Sequence, residues 1–216
     1  MKKACSLLLL AFGLLLFGTA CGPNDRTTPT PPASTPDGSD EPSAPAPERR
    51  TLIVYYSFTN NTHTIVTDLQ AQTGADILRV EPAEEGIDYA ANNYAIGSAL
   101  IQAIRNNPDD PASYPAIRTV PGDLSAYDTI IVAAPLWWSN MAAPLQTFLF
   151  QYGDRMAGKT IELIVSSASS GISGVEADAR RLIPDGDFLT PSLWIRSAQT
   201  ADCHRLVADW LQEIGY

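Results

Sequence analysis

Short apolar runs alternate with longer amphipathic segments from Thr51 to the C-terminus. Five of the runs are rich in β-branched and aromatic residues and show little polar alternation, which is typical of strands buried on both faces of a sheet. The predicted strands are Thr51 to Tyr56, Asp76 to Val80, Thr129 to Ala134, Thr160 to Val165 and Phe188 to Ile195.

The segments between these runs have apolar residues at helical spacing. They predict helices over Thr62 to Gln72, over Asp88 to Asn106, from Ala143-Pro144 onward, from Ser173 onward and over Thr200 to Ile214. Asn61 or Thr62 can cap the first helix, and Ser173 with Glu176 has the spacing of a capping box. Strands that alternate with helices predict an α/β fold, a three-layer α/β/α sandwich around a five-stranded parallel sheet.

The first residues follow the plan of a secretory signal peptide. Lys2 and Lys3 precede an apolar run that is too short to span a bilayer, and small residues lead to Cys21. Residues 1–20 are therefore predicted to be a signal peptide. The site resembles a bacterial lipobox, which implies lipidation of Cys21, although Gly18 stands where Leu is usual. An ordinary cleaved signal remains the alternative.

Residues 21–49 contain mainly Pro, Ser, Thr, Asp and Ala and almost no large apolar side chain. Such a segment cannot bury enough surface to offset its ordering entropy, so it is predicted to be a disordered tether. The tether would hold a domain of residues 50–216 away from a membrane. The predicted location is exported and lipid-anchored at the cell membrane.

Composition excludes several functions. The chain has 216 residues and a net charge of −10, and it has no cluster of Lys and Arg that could bind a nucleic acid. Three cysteines and two histidines at wide spacing do not form a metal motif or a hydrolase triad. We interpret His63 as a solvent-facing residue, with donation to a phosphate as the alternative, and Cys203 and His204 as structural. The expected partner is a small molecule or a basic protein surface.

Three loops at the predicted carboxyl ends of strands carry the candidate chemistry. The first runs into a helix N-terminus, where hydroxyl, amide and backbone donors favour an anion. Its polar residues are Ser57, Thr59, Asn60, Asn61 and Thr62. The loop has no Lys or Arg and lacks the pattern of a nucleoside-triphosphatase, so it suits a phosphate monoester. A capped polar turn without a ligand is the other interpretation.

The second loop offers aromatic rings, and the third allows its backbone to come close to a ligand. Trp137 and Trp138 can stack on a planar heteroaromatic ligand, although at least one of them is expected to close the edge of the core. The loop from Ser166 to Ser173 is small and contains Gly171, so its backbone can approach a flat ligand, or it is a plain connector.

Together, the segment from Tyr56 to Thr62 resembles the flavodoxin phosphate loop, and Pro135-Leu136-Trp137-Trp138 and Ser167 to Ile172 resemble the second and third flavin loops. The resemblance implies strand order 2-1-3-4-5 and one non-covalently bound FMN. Asn60 replaces a usual Gly, which Asn tolerates because it accepts left-handed backbone. The implied FMN-binding residues are Ser57, Thr59, Asn60, Asn61, Thr62, Pro135, Leu136, Trp137, Trp138, Ser139, Ser169, Ser170 and Gly171.

The function that this resemblance implies is electron transfer between redox protein partners near the membrane. Two alternatives stay open. One is an NAD(P)H-dependent quinone or flavin reductase, and the other is a scaffolding lipoprotein that has kept the fold and lost the flavin.

Overall fold

A computed structural model describes residues 50–168 and 171–216 of the chain. The strands are β1 (Thr51–Tyr55), β2 (Asp76–Arg79), β3 (Thr129–Trp137), β4 (Asn140–Met141), β5 (Thr160–Ser167), β6 (Asp187–Phe188) and β7 (Leu193–Arg196). The α-helices are α1 (Asn61–Thr73), α2 (Ala91–Asn106), α3 (Ala143–Tyr152), α4 (Ser173–Leu182) and α5 (Cys203–Ile214). None of the helices in this part of the chain is long and apolar enough to cross a membrane.

The sheet confirms the predicted strand order. Its parallel strands run β2-β1-β3-β5, and β6 and β7 both pair with β5, one after the other along its length. The two short strands together occupy the fifth position of the predicted order 2-1-3-4-5. β4 adds a short antiparallel pairing to the end of β3.

Helices cover both faces of the sheet because alternate residues of the central strands point to opposite faces. Ile53 of β1 and Ile131 of β3 pack with α1 and α5, whose buried residues include Leu69 and Val207. Val132 and the neighbouring alternate residues pack with α3 and α4 on the other face. The predicted three-layer α/β/α sandwich is confirmed.

Three local predictions need correction. The fifth strand is interrupted between Phe188 and Leu193, where Pro191 has no N–H to offer a strand ladder. The second helix begins at Ala91 rather than Asp88, because the Asp88 carboxylate accepts from the Ala90 N–H (2.9 Å) and forms a local turn. The capping box at the start of α4 is wrong. Ile172 holds the N-cap position, and the Glu176 carboxylate instead accepts from the Ser192 hydroxyl (2.7 Å).

Candidate functional site

The loop between β1 and α1 begins the site. Asn60, with φ 65° and ψ −5°, occupies the left-handed conformation expected of it and holds the N-cap position of α1. The Asn60 side chain makes no capping hydrogen bond, and neither Asn61 nor Thr62 holds the N-cap position, so the predicted capping by either of them is wrong. The Ser57 hydroxyl accepts from the His63 N–H (3.2 Å) and fixes the loop against the first helical turn. The Ser57 hydroxyl occupies the His63 N–H, and the Asn61 and Thr62 N–H groups that precede it in the first turn are available to an anion.

Thr62 adds a hydroxyl that has no partner in the described part of the chain. Its side chain is 1% exposed, and its Oγ1 makes no hydrogen bond to any described residue. Buried hydroxyl groups are nearly always hydrogen-bonded to protein, water or a ligand, so this one is left for a bound water or a ligand at the loop. The neighbouring Arg79 does not supply a free charge, because its guanidinium donates to the Ser57 carbonyl (3.2 Å) and pairs with Glu81 (2.9 Å).

His63 lies in a different place from the one expected. It is half-buried, its ring stacks on Tyr55 with the centroids 5.8 Å apart, and its Nδ1 lies 2.8 Å from the Tyr55 hydroxyl. The interpretation of His63 as a solvent-facing residue is therefore wrong. Burial raises the pKa of Tyr55, so its hydroxyl stays protonated and can donate to the imidazole.

Trp137 and Trp138 lie on a tight hairpin between β3 and β4, which we call the tryptophan hairpin. Trp137 pairs with Asn140, so Trp138 and Ser139 form a two-residue turn with φ 46° and 66°. Both central residues of a type I′ turn have positive φ, and such turns normally contain Asn and Gly. A tryptophan in this conformation is strained, and strain of this kind is characteristic of functional sites.

Two helices hold the hairpin in that conformation. From α2, the Arg105 guanidinium donates to the Asn140 side-chain oxygen (2.7 Å) and to the Trp138 carbonyl. From α4, the buried Asp178 carboxylate accepts from the Asn140 side-chain amide and from the Met141 N–H, both at 2.9 Å. We call Arg105 and Asp178 the hairpin clamp.

Glycines let these helices come close to the hairpin. A Cβ on Gly174 would lie 1.8 Å from the Ser139 carbonyl oxygen, and a Cβ on Gly97 would lie 3.0 Å from the Trp138 ring. A side chain at Gly174 therefore cannot be accommodated without moving the turn.

The two tryptophans have different environments. Trp137 is partly buried and meets the rings of Tyr56, Phe58 and Tyr89 at centroid distances of 5.0–6.4 Å. This confirms that one of the pair closes the edge of the core. Trp138 is 40% exposed and leaves ring surface free for a planar ligand.

A cavity of about 310 Å³ joins the loops at the carboxyl ends of β1, β3 and β5. Of the predicted residues, it is lined by Thr59, Asn61, Pro135, Leu136, Trp137 and Trp138. Ser57, Asn60 and Thr62 belong to the same loop as Thr59 but do not line the cavity, and Ser139 and Gly171 also stand outside its lining. Ser169 and Ser170 lie outside the described residues.

Sequence reasoning missed several lining residues. These are Phe58, Tyr89, Tyr94, Gly97, Ser166, Ser167, Ala168 and Ser197. Ser197 follows β7 at the same sheet edge as the other loops, so applying the carboxyl-end rule to the fifth strand could have found it. No sequence signal identifies Tyr89 and Tyr94 as site residues. Tyr89 precedes α2 and Tyr94 lies in its first turn, and the position of this helix depends on packing.

Comparison with known proteins agrees with this geometry. The sequence profile of the family described as Flavodoxin matches residues 50–214. A structure from Bacteroides eggerthii, provisionally described as a flavoprotein, has 23% identity and a TM-score of 0.62, and the match covers 77% of this chain and 98% of that one. A flavoprotein from Lactobacillus acidophilus in complex with FMN has 21% identity and a TM-score of 0.56, with 71% and 97% of the two chains covered.

Curated protein sequences give no match to the chain. The family profile nevertheless spans nearly all of the described residues, and the similar structures share the fold. The chain belongs to the flavodoxin family.

Proposed function

We propose that this chain is an FMN-binding electron-transfer protein of the flavodoxin type, exported and anchored to a membrane through a lipid on Cys21. The observation that carries the proposal is that the loop before α1 and the tryptophan hairpin line one cavity. That arrangement offers an anion site at one end and exposed aromatic surface at the other, as a flavin phosphate requires.

The described residues fit FMN. The Thr62 hydroxyl, which has no partner among the described residues, and the N-terminus of α1 would hold the phosphate, together with Ser57, Thr59, Asn60 and Asn61. Trp138 would stack on the flavin ring. Trp137, which packs against the core, would exclude water from that side of the cavity. Bound FMN supplies reversible one- or two-electron transfer, and the protein contributes binding, orientation and the electrostatic environment.

Absorbance spectroscopy tests the cofactor. The chain from residue 21, made without the predicted signal and with Cys21→Ser, should take up FMN, show flavin bands, lose them with dithionite and regain them in air. Rapid bleaching by NADH or NADPH alone would assign a reductase instead. A folded protein that neither carries nor quenches FMN would contradict the proposal and favour the scaffold alternative.

Cell fractionation tests the anchor. The full chain should sediment with membranes, whereas Cys21→Ser should not become lipidated and should leave the membrane fraction. Cys5→Ser is the matched control, because this cysteine lies inside the predicted signal and should leave the membrane location unchanged. Equal release of the unmodified chain and of both variants would indicate an ordinary cleaved signal.

A further inference from the structure

The first turn of α2 is left-handed, unlike the rest of the helix. Asn92, Asn93 and Tyr94 have φ of 50°, 57° and 62°, whereas the residues that follow have helical backbone angles. Left-handed conformations normally occur at single residues and not in runs. Asn tolerates them, but a positive φ is an outlier for a bulky residue such as Tyr94. This left-handed turn therefore carries a strain that a right-handed turn would release.

The left-handed turn lies on the surface of the domain. Residues 92–96 are all exposed, and the Tyr94 side chain is 49% exposed. The Tyr94 N–H donates to the Ala90 carbonyl (3.3 Å), and the Tyr94 ring meets the Trp138 ring edge-on at a centroid distance of 6.4 Å. Strained backbone persists only where its surroundings fix it. A strained turn that packs so little against the domain is poised to change conformation.

The spacing of residues along α2 fits a right-handed first turn. Gly97, Ile101 and Ile104 form the buried face of the helix, and Gly97 lies against the Trp138 ring. Tyr94 precedes Gly97 by three residues, so it continues the spacing of that face. A right-handed turn would therefore place Tyr94 in line with Gly97, beside Trp138. In the left-handed turn the same residue stays half-exposed, although it lines the cavity.

We propose that FMN binding converts the first turn of α2 from left-handed to right-handed and so lays the Tyr94 ring over the flavin. The inference rests on the proposed function, because bound flavin supplies the surface that Tyr94 would cover. Without a ligand, Asn92 and Asn93 oppose the change, since Asn is a poor helix former that accepts left-handed backbone. Burial of the Tyr94 ring against flavin is the differential contact that a ligand needs to shift such an equilibrium.

Paired substitutions at Asn92 and Asn93 test the change, because both residues are exposed and neither lines the cavity. The double variant Asn92→Ala/Asn93→Ala favours the right-handed turn and should bind FMN about tenfold more tightly than the unmodified chain. The double variant Asn92→Gly/Asn93→Gly favours the left-handed turn and should bind FMN about tenfold more weakly. Quenching of flavin fluorescence gives both affinities. Equal FMN affinities of the two variants would overturn the inference.

Gln102→Ala and Gln102→Gly form the matched control pair, since Gln102 is exposed on the right-handed part of the same helix. Glycine at this position should lower the free energy of unfolding, but the two control variants should have the same FMN affinity. If their affinities differed as much as those of the two double variants, the stability of α2 and not the hand of its first turn would control binding. That result would also overturn the inference.

Hydrogen exchange adds a readout that does not depend on affinity. The amide groups of residues 94–97 should exchange slowly in the unmodified chain with FMN bound, because a right-handed turn gives them regular helical acceptors. They should also exchange slowly in Asn92→Ala/Asn93→Ala without any flavin. Fast exchange at these amides in the FMN-bound unmodified chain would overturn the inference and leave the proposed function intact. An unmodified chain that does not bind FMN would contradict the proposed function and the inference with it.

Discussion

At the scale of single residues, the site depends on side chains and backbone conformations that a folded protein without a ligand would not need. Trp138 and Ser139 have positive φ, and each such conformation costs about 1–3 kcal/mol and persists only where surrounding contacts hold it. Asn60 also has positive φ, which Asn tolerates. Thr62 and Tyr89 bury hydroxyls that lack partners in the described part of the chain. Trp138 and Tyr89 line the cavity, whereas Asn60, Thr62 and Ser139 belong to the two loops that adjoin it.

Replacing Thr62 with Val tests the anion site, because valine keeps the shape and removes the hydroxyl. FMN affinity should fall by about tenfold to 150-fold, the range for one hydrogen bond to a charged group. Affinity for riboflavin, which has no phosphate, should stay the same. Fluorescence quenching of each flavin gives both values.

The control for this variant is Thr67→Val, one turn farther along α1, where the threonine hydroxyl donates to the His63 carbonyl (2.9 Å) on the exposed surface. It should leave both flavin affinities unchanged. A parallel loss of riboflavin affinity in Thr62→Val would show that this hydroxyl does not act on the phosphate.

At the scale of elements, two helices from one layer determine the shape of the tryptophan hairpin. The strained turn is too short to hold itself, and the hairpin clamp connects it to α2 through Arg105 and to α4 through Asp178. Arg181 extends the connection, because it pairs with Asp178 (3.5 Å) and donates to Gln146 of α3 (3.0 Å). Trp138 is therefore positioned by α2, α3 and α4 together.

Asp178→Ala should weaken this arrangement. It leaves the Met141 N–H and the Asn140 amide without their acceptor in a buried place, which should lower the free energy of unfolding by about 2 kcal/mol or more. FMN should also dissociate faster, because the turn that presents Trp138 relaxes. Urea unfolding and stopped-flow flavin release measure the two effects.

Asp209→Ala serves as the matched control, since Asp209 forms an exposed i,i+4 pair with Arg205 on α5 (3.1 Å). Pairs of this kind contribute about 0.5 kcal/mol or less, so neither measurement should change much. Unaltered flavin release in Asp178→Ala would show that the hairpin keeps its shape without the carboxylate.

At the scale of the whole molecule, one carboxyl group makes the stability of the sandwich depend on pH. Glu162 is 4% exposed in the central strand β5, on the face that packs with α1 and α5, and its Oε2 has no partner in the described ranges. Burial raises the pKa of Glu162 from 4.5 to about 7. The folded protein therefore keeps a proton there that the unfolded chain releases above about pH 4.5.

Stability should consequently fall as the pH rises from about 4.5 to about 7 and then level off. The full difference amounts to about 3 kcal/mol at most, at 1.36 kcal/mol for each pH unit. Glu162→Gln should remove this slope and should be more stable than the unmodified chain at pH 8. Urea unfolding at several pH values measures it, and parallel curves for the two proteins would contradict the prediction.

The secondary structure shows why some elements were predictable and others were not. β1, β3 and β5 are buried on both faces, so their sequences must be continuous apolar runs, and the pattern identifies them without ambiguity. The start of α2 was missed because the Asp88 carboxylate accepts from the Ala90 N–H and forms a turn that helical spacing does not reveal. The Ser173 capping box failed because Ser192, distant in sequence, donates to Glu176.

By itself, the sequence determined the alternation of strands and helices and the order of the candidate loops along the chain. It also identified the two loops that carry the donors and the rings for a flavin. Those properties are local, because burial imposes a pattern on each segment and a loop motif is a run of neighbouring residues. Only the tertiary structure decided that Tyr89 enters the cavity wall, that the buried Thr62 hydroxyl has no partner among the described residues, and that Arg105 and Asp178 hold the hairpin. These are contacts between residues far apart in sequence, and their energy depends on burial and geometry that only the packed layers create.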